Sequence, residues 1–130
     1  MEFPGGLHYT KEHEWIRVEG QQAYVGITDY AQQELGDVVY VELPAVNSTV
    51  RHMEPFGVVE SVKAVSDLFS PVTGSVQQVN EELFSHPELV NSDPYGQGWM
   101  IVVELGDPSE VDTLMTVEQY EAYLRQVREA

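Results

Sequence analysis

Phe56-Gly57-Val58-Val59-Glu60-Ser61-Val62-Lys63-Ala64-Val65-Ser66-Asp67-Leu68 sets β-favouring residues on both sides of a single lysine. Val58 to Val62 reads as a strand, and small or β-branched residues continue beyond the lysine. A tight hairpin projecting from about Val59 to Ser66 follows, with Lys63 at its tip. There the backbone is fixed on both sides while the flexible stem stands in water, which is the geometry a modifying enzyme needs. Taken alone, this also describes an ordinary solvated lysine, the commoner case. Lysine is scarce, however: Lys11 and Lys63 are the only two in the chain.

Outward from this stretch the chain is rich in short strands and turns. Glu14-Trp15-Ile16-Arg17-Val18 and Ala23-Tyr24-Val25-Gly26-Ile27 read as two strands joined through Glu19-Gly20-Gln21. Thr28-Asp29 opens a short helix, Tyr30 to Leu35, with Gln32 placed to return a capping interaction to Asp29 and Gly36 as its stop. Val38 to Val41 and Met100 to Val103 are further strands. Gly36-x-Val38-x-x-Val41 recurs as Gly74-x-Val76-x-x-Val79, and Pro55-Phe56-Gly57 as Pro94-Tyr95-Gly96, at nearly one offset. This predicts two similar β-units about a pseudo-two-fold axis. Thr116-Val117-Glu118-Gln119 is a capping box, and Val117, Tyr120, Leu124 and Val127 follow at helical spacing.

The bulk chemistry narrows the function. The 130 residues suit one domain, and 42% hydrophobic content with two Trp argues for a packed core. Six basic and 22 acidic side chains give a net charge of −16, which repels phosphate backbones and speaks against nucleic-acid binding. There is no cysteine, hence no disulfide framework, thiolate metal site or cysteine nucleophile. No apolar run is long enough for a membrane span, and the opening residues lack a basic-then-apolar signal pattern or an Arg-rich transit pattern. A bacterial cytoplasm is the expected location, a processed mitochondrial chain the alternative. His8, His13, His52 and His86 are not at zinc spacings, so no metal site is expected. His13 is expected to pack beside Trp15 or to make a local hydrogen bond. Ser61 and Ser66 have no His base nearby in sequence, and no catalytic constellation is visible.

The segment 56–68, with Ser70-Pro71-Val72-Thr73-Gly74, resembles the lipoyl-attachment segment of the glycine cleavage system H proteins. Similar to that family too are His13-Glu14-Trp15, Gly26 to Gln32, Leu35 to Pro44, Leu89-Val90-Asn91-Ser92 and Pro94-Tyr95-Gly96-x-Gly98-Trp99. The matches run in order over about residues 7 to 105. A biotin carrier would show Met-Lys-Met where this chain has Val62-Lys63-Ala64. Ser75 and Gln78 stand where the family often has Glu, and Glu34 where some members carry His; Lys63 and its flanks are intact.

The resemblance implies a mainly β fold, a lipoyl-domain-like barrel-sandwich hybrid with a short internal helix and a C-terminal helix. It implies a carrier core over about 7–105 and a helical segment over about 108–130 of a single domain, 1–130. It implies lipoic acid covalently attached to Lys63, with Glu60, Ser61, Val62, Ala64 and Asp67 read by the lipoate-attaching enzymes. The implied partners are a pyridoxal-phosphate glycine decarboxylase, a tetrahydrofolate-dependent aminomethyltransferase and dihydrolipoamide dehydrogenase. The chain would be a monomeric, non-catalytic swinging-arm carrier of glycine catabolism. Glu12, Glu14 and Asp67 are candidates for a carboxylate-lined groove that shelters the loaded arm. The rival functions are a lipoyl relay in lipoate metabolism and an unlipoylated interaction domain on the same fold.

Overall fold

The computed structural model describes residues 1–129. In chain order it forms β1 (His8–Tyr9), β2 (Glu14–Glu19), β3 (Gln22–Ile27), α1 (Asp29–Leu35), β4 (Val38–Glu42), β5 (Thr49–Val50), β6 (Pro55–Ser61), β7 (Val65–Phe69) and β8 (Gly74–Val79). Two single-turn helices follow, α2 (Glu82–Ser85) and α3 (Leu89–Ser92). Then come β9 (Ile101–Leu105), a 3-10 segment (Pro108–Thr113) and α4 (Val117–Glu129). Six strands form one sheet in the order β1-β2-β3-β9-β8-β5, and β4-β6-β7 form a second. Every pairing is antiparallel.

Alternation decides which face of the small sheet is buried. Val41 and Val59 pair across β4 and β6 and are 1% exposed, whereas Tyr40, Glu60 and Val65 form the next row on the outer face. A register shift between Val38 and Tyr40 leaves Val39 as an extra residue, so both Val39 and Tyr40 stand outside. Val41, Val59 and Leu68 share one core cluster with Ile16, Val25, Val76 and Ile101 of the large sheet. The strands are held close where side chains are missing. A Cβ on Gly57 would lie 2.3 Å from the Glu42 carbonyl oxygen.

A second, aromatic cluster seats α4. Tyr120 stacks on Tyr9 at 4.7 Å with the rings nearly parallel, and Phe3 meets Tyr120 edge-on at 5.4 Å. Trp15 is fully buried and its indole N–H donates to Pro94 O at 3.0 Å. Burial of Tyr120 and Leu124 contributes about 2 kcal/mol each. The capping box closes as the sequence predicts: Thr116 N donates to Gln119 Oε1 and Gln119 N to Thr116 Oγ1. Of the predicted stripe, Tyr120 and Leu124 are buried, while Val127 is 39% exposed.

Two readings change. Thr28, not Asp29, caps α1 by accepting from Ala31 N, and Gln32 bonds the Asp29 carboxylate inside the first turn. The predicted repeat holds in one of its two motifs: Gly36–Val41 runs into β4 and Gly74–Val79 forms β8, so both copies are strands. Pro55–Gly57 lies in β6, whereas Pro94–Gly96 lies in a turn, so the matched triplets have different conformations.

Candidate functional site

Lys63 stands at the tip of the β6–β7 hairpin, exposed, between Val62 at 70% and Val65 at 69% exposure. Strand β6 stops at Ser61 rather than continuing to Val62. The reason is the Ser61 side chain, which is buried and caps the turn from inside. Its Oγ accepts from Lys63 N at 3.3 Å and Ala64 N at 3.1 Å, while Ser61 N donates to Ala64 O at 2.8 Å. The hydroxyl is therefore committed to the turn, and what Ser61 offers an enzyme is the shape of the loop. Glu60 belongs to the outer face of the small sheet, beside Tyr40 and Val65. Ala64 is exposed next to the lysine.

The hairpin rests on the turn between α1 and β4. Val62 N donates to Asp37 O at 3.0 Å. Asn91 of α3 holds that turn from below: its Nδ2 donates to Gly36 O and Gln32 Oε1, and its Oδ1 accepts from Val38 N. Gly36 adopts φ +79, a conformation glycine takes without strain, and the Lys63 stem lies against it. A Cβ on Gly36 would sit 3.4 Å from Lys63 Cε.

Beside the hairpin opens a cavity of about 210 Å³. Ile27, Ala31, Leu35, Val59 and Leu68 give it apolar walls, and Glu12, Glu14, Glu34 and Asp67 all line it. The three acids singled out in the sequence are thus brought together, although they come from the turn before β2, from β2 and from β7. Asp67, Glu12 and Glu34 are exposed, whereas Glu14 is 2% exposed. Its Oε1 accepts from the Thr10 hydroxyl at 2.6 Å and its Oε2 from Phe69 N at 3.2 Å. Burial pushes the Glu14 carboxyl up to about 8, against the opposing pull of those hydrogen bonds, with the Glu12 charge adding to the rise.

Ser66 lines the cavity too, as do His13 and Tyr30, which sequence reasoning did not place there. His13 makes a local hydrogen bond through its backbone, N donating to Thr10 O at 3.1 Å, while its ring has distant partners. Its ring lies 4.7 Å from Tyr30, and its Nδ1 is 2.9 Å from the Tyr120 hydroxyl of α4, which also bonds Thr28 Oγ1 at 2.8 Å. Burial holds the His13 imidazole below its ordinary pKa, with Glu34 pulling the other way. The residue has φ 70, uncommon for a side chain of this kind, and this turns the ring toward the groove. No local signal marks that conformation, because its partner lies 107 residues away.

Among the described residues no group of three His, Asp or Glu is arranged to hold a metal ion, and no helix is long and apolar enough to cross a membrane.

Comparison with known proteins places this geometry. The family model described as Glycine cleavage H-protein matches residues 7–127. A glycine cleavage system H protein of Brevibacillus brevis is 61% identical over 126 residues, covering 97% of this chain and 100% of that one. The protein of the same name from Geobacillus kaustophilus is 59% identical over 126 residues, with 97% and 99% covered. That of Bacillus subtilis is 56% identical over 121 residues, with 93% and 95% covered. The crystal structure of a glycine cleavage system H protein from Mycobacterium marinum superposes with a TM-score of 0.82 at 39% identity, covering 92% of this chain and 97% of that one. The two-sheet arrangement with its C-terminal helix is the lipoyl-domain barrel-sandwich fold of that neighbour. This chain belongs to the glycine cleavage system H protein family, the carrier component of that system.

Proposed function

We propose that Lys63 becomes amide-linked to lipoic acid and that the chain shuttles the aminomethyl group of glycine on that arm. The cargo would pass from a pyridoxal-phosphate glycine decarboxylase to a tetrahydrofolate-dependent aminomethyltransferase. Electrons then leave through dihydrolipoamide dehydrogenase. The observation that carries this reading is the placement of Lys63, at an exposed and hydrogen-bonded hairpin tip beside an acid-lined groove. Lipoic acid, when attached, supplies a strained disulfide that opens to take up the one-carbon unit and is re-formed by oxidation.

The chain's own residues fit such a group. Asp67 lies four residues beyond Lys63, at most about 13 Å of extended chain. An extended lysine–lipoyl arm of about ten single bonds spans about 14 Å. Ile27, Ala31, Leu35, Val59 and Leu68 line a course for its hydrocarbon, and the carboxyl-bearing residues stand where a terminal amine arrives. The groove then shelters a cationic cargo from water, with Glu12, Glu14 and Asp67 as its partners. Glu60, Val62, Ala64 and Asp67, displayed around the turn that Ser61 holds, are the features a lipoate-attaching enzyme reads. The chain itself contributes neither base nor nucleophile; it holds, presents and shelters. We place it in a bacterial cytoplasm as a monomer.

The test is intact mass after co-expression with lipoylation enzymes, beside Lys63→Arg. One lipoyl-sized increment, lost in the variant, is the expected result. No increment, with a known lipoyl protein modified in the same cells, overturns the proposal. Glycine–bicarbonate exchange with the partner enzymes then separates this role from a lipoyl relay, which would not support it.

A further inference from the structure

The turn over 94–98 is built to hold one side chain still, and Tyr95 is that side chain. Asp93 closes the turn: its carbonyl accepts from Gly96 N at 3.1 Å and Gly98 N at 2.8 Å, and its carboxylate accepts from Gln97 N at 2.9 Å. The buried Trp15 indole fixes Pro94 O at 3.0 Å, and a Cβ on Gly96 would run into the Asp93 carboxylate. The Tyr95 hydroxyl joins two segments far apart in sequence. It accepts from Asp29 N at 2.9 Å and donates to Glu2 O at 2.7 Å. Glu2 N in turn donates to Asp29 Oδ2 at 2.8 Å. The N-terminal segment, the first turn of α1 and Tyr95 thus form a closed circuit of three hydrogen bonds. Phe3 against Tyr120, and Pro4 O accepting from the Tyr9 hydroxyl at 2.6 Å, hold the segment to the body of the protein.

Helix α1 needs such a clamp. It has seven residues and none of them is buried, so packing alone fixes it poorly. The N–H groups of its first turn have no acceptor within the helix, and Asp29 N finds one in Tyr95, while Tyr120 holds the cap residue Thr28. Yet Tyr30, Ala31, Glu34 and Leu35, all on α1, form one wall of the groove, and Gly36 at its end lies against the Lys63 stem. Where α1 stands decides how wide the groove is.

We propose that Tyr95 is a positioning residue for the groove: its hydroxyl clamps the first turn of α1 to the N-terminal segment and so sets the wall against which the loaded arm is sheltered. The inference rests on the groove being the docking place of the arm. Tyr95 does not line the groove; it acts through α1. Without the hydroxyl, Asp29 N and Glu2 O turn to water, while Asn91 still holds the far end of the helix through Gln32 and Gly36. The wall then opens at its N-terminal end, and water reaches the one-carbon unit. One net hydrogen bond changes an equilibrium about fivefold, and the open population of the wall rises by that factor.

The test compares Tyr95→Phe with Thr113→Val, which also gives up one hydrogen bond but stands on the 3-10 segment away from the groove. Before lipoate is attached, amide exchange at Ala31 and Gln32 is expected to quicken about fivefold in Tyr95→Phe and to stay at the wild-type rate in Thr113→Val. The lipoylated proteins are then loaded from glycine by the decarboxylase and followed as water takes the one-carbon unit, leaving the thiol and releasing formaldehyde and ammonia. Tyr95→Phe is expected to speed that loss about fivefold, and Thr113→Val to leave it unchanged. Asp29→Ala opens the circuit at another corner, so its effect and that of Tyr95→Phe should combine to less than their product. Exchange and cargo loss at wild-type rates in Tyr95→Phe overturn the proposal, as do effects of the two variants that simply multiply. Methyl signals of Ala31 and Leu35, read by NMR before and after loading, separate this from failure of the reading beneath it. If loading shifts them in wild type while Tyr95→Phe loses cargo no faster, the arm docks and the clamp is wrong. If loading leaves them unmoved in wild type, the groove is not the docking place and both ideas fall.

Discussion

Replacing Glu14 with glutamine should change how the stability of this protein depends on pH more than it changes stability at any one pH. The carboxyl titrates near 4.5 in an unfolded chain and is raised to about 8 in the folded one. Between those values the folded state holds a proton that the unfolded state has given up. Glu14 therefore contributes most below about pH 4.5, and its contribution falls as pH rises through 8. The window spans about 3.5 pH units at about 1.4 kcal/mol each, which caps the loss near 5 kcal/mol, and about 3 kcal/mol is the working figure. The glutamine amide keeps the shape and can still accept from Thr10, loses the bond from Phe69 N because an NH2 cannot accept, and has nothing to titrate, so its cost is the same at every pH. The assay is urea unfolding of both proteins from pH 5 to pH 9. The other carboxylates titrate in both, so the difference isolates Glu14. Wild type is expected to lose about 3 kcal/mol relative to E14Q across the range, or about 10 °C in Tm for a chain of this size. Stability curves that run parallel from pH 5 to pH 9 would refute the reasoning.

Three further changes test the scaffold. Gly57→Ala puts a methyl 2.3 Å from the Glu42 carbonyl oxygen, so β4 and β6 must part; a loss of about 3 kcal/mol in chemical denaturation is expected. Tyr120→Phe removes the hydroxyl shared by His13 and Thr28, and about 2 kcal/mol should go with it, alongside a change in the His13 titration seen by NMR. Ser61→Ala deletes the oxygen that receives the Lys63 and Ala64 amides. Faster hydrogen exchange at those two amides and slower attachment of lipoate are expected, with global stability falling by about 1 kcal/mol.

Much of the hairpin and its flanking strands was legible because the signal is local. Val58 and Val59, with Ala64 and Val65 beyond, announce extended chain on either side of Lys63, and Thr116 to Gln119 announces α4 by capping chemistry alone. Glu12, Glu14 and Asp67 stand on one cavity, as the expected nearness of their segments to the hairpin suggested, but nothing in the letters distinguished them. Burial separates Glu14 from the other two, and burial is set by Thr10, Phe69 and the sheet closing over them. The place of the His13 ring was missed for a related cause: its partner is a tyrosine on the last helix. The repeat of Pro-aromatic-Gly misled because the same triplet suits both a strand entry and a turn. The short helices α2 and α3 carry too few residues to show a period.

The bonds that build this site differ widely in how much chain they enclose. Ser61 to Ala64 closes over three residues, whereas Glu14 to Phe69 encloses 55 and His13 to Tyr120 encloses 107. Short closures form early in folding and long ones late, since loop entropy must be overcome before distant contacts can hold. Loop entropy therefore predicts that the lysine's turn forms before the groove beneath it has a floor. If the proposed function holds, an attaching enzyme that reads only the hairpin could meet its substrate on a chain still folding, while shelter for cargo would wait until α4 has docked. On the function proposed above, acquisition of the arm and protection of what it carries would belong to different moments in the life of the molecule.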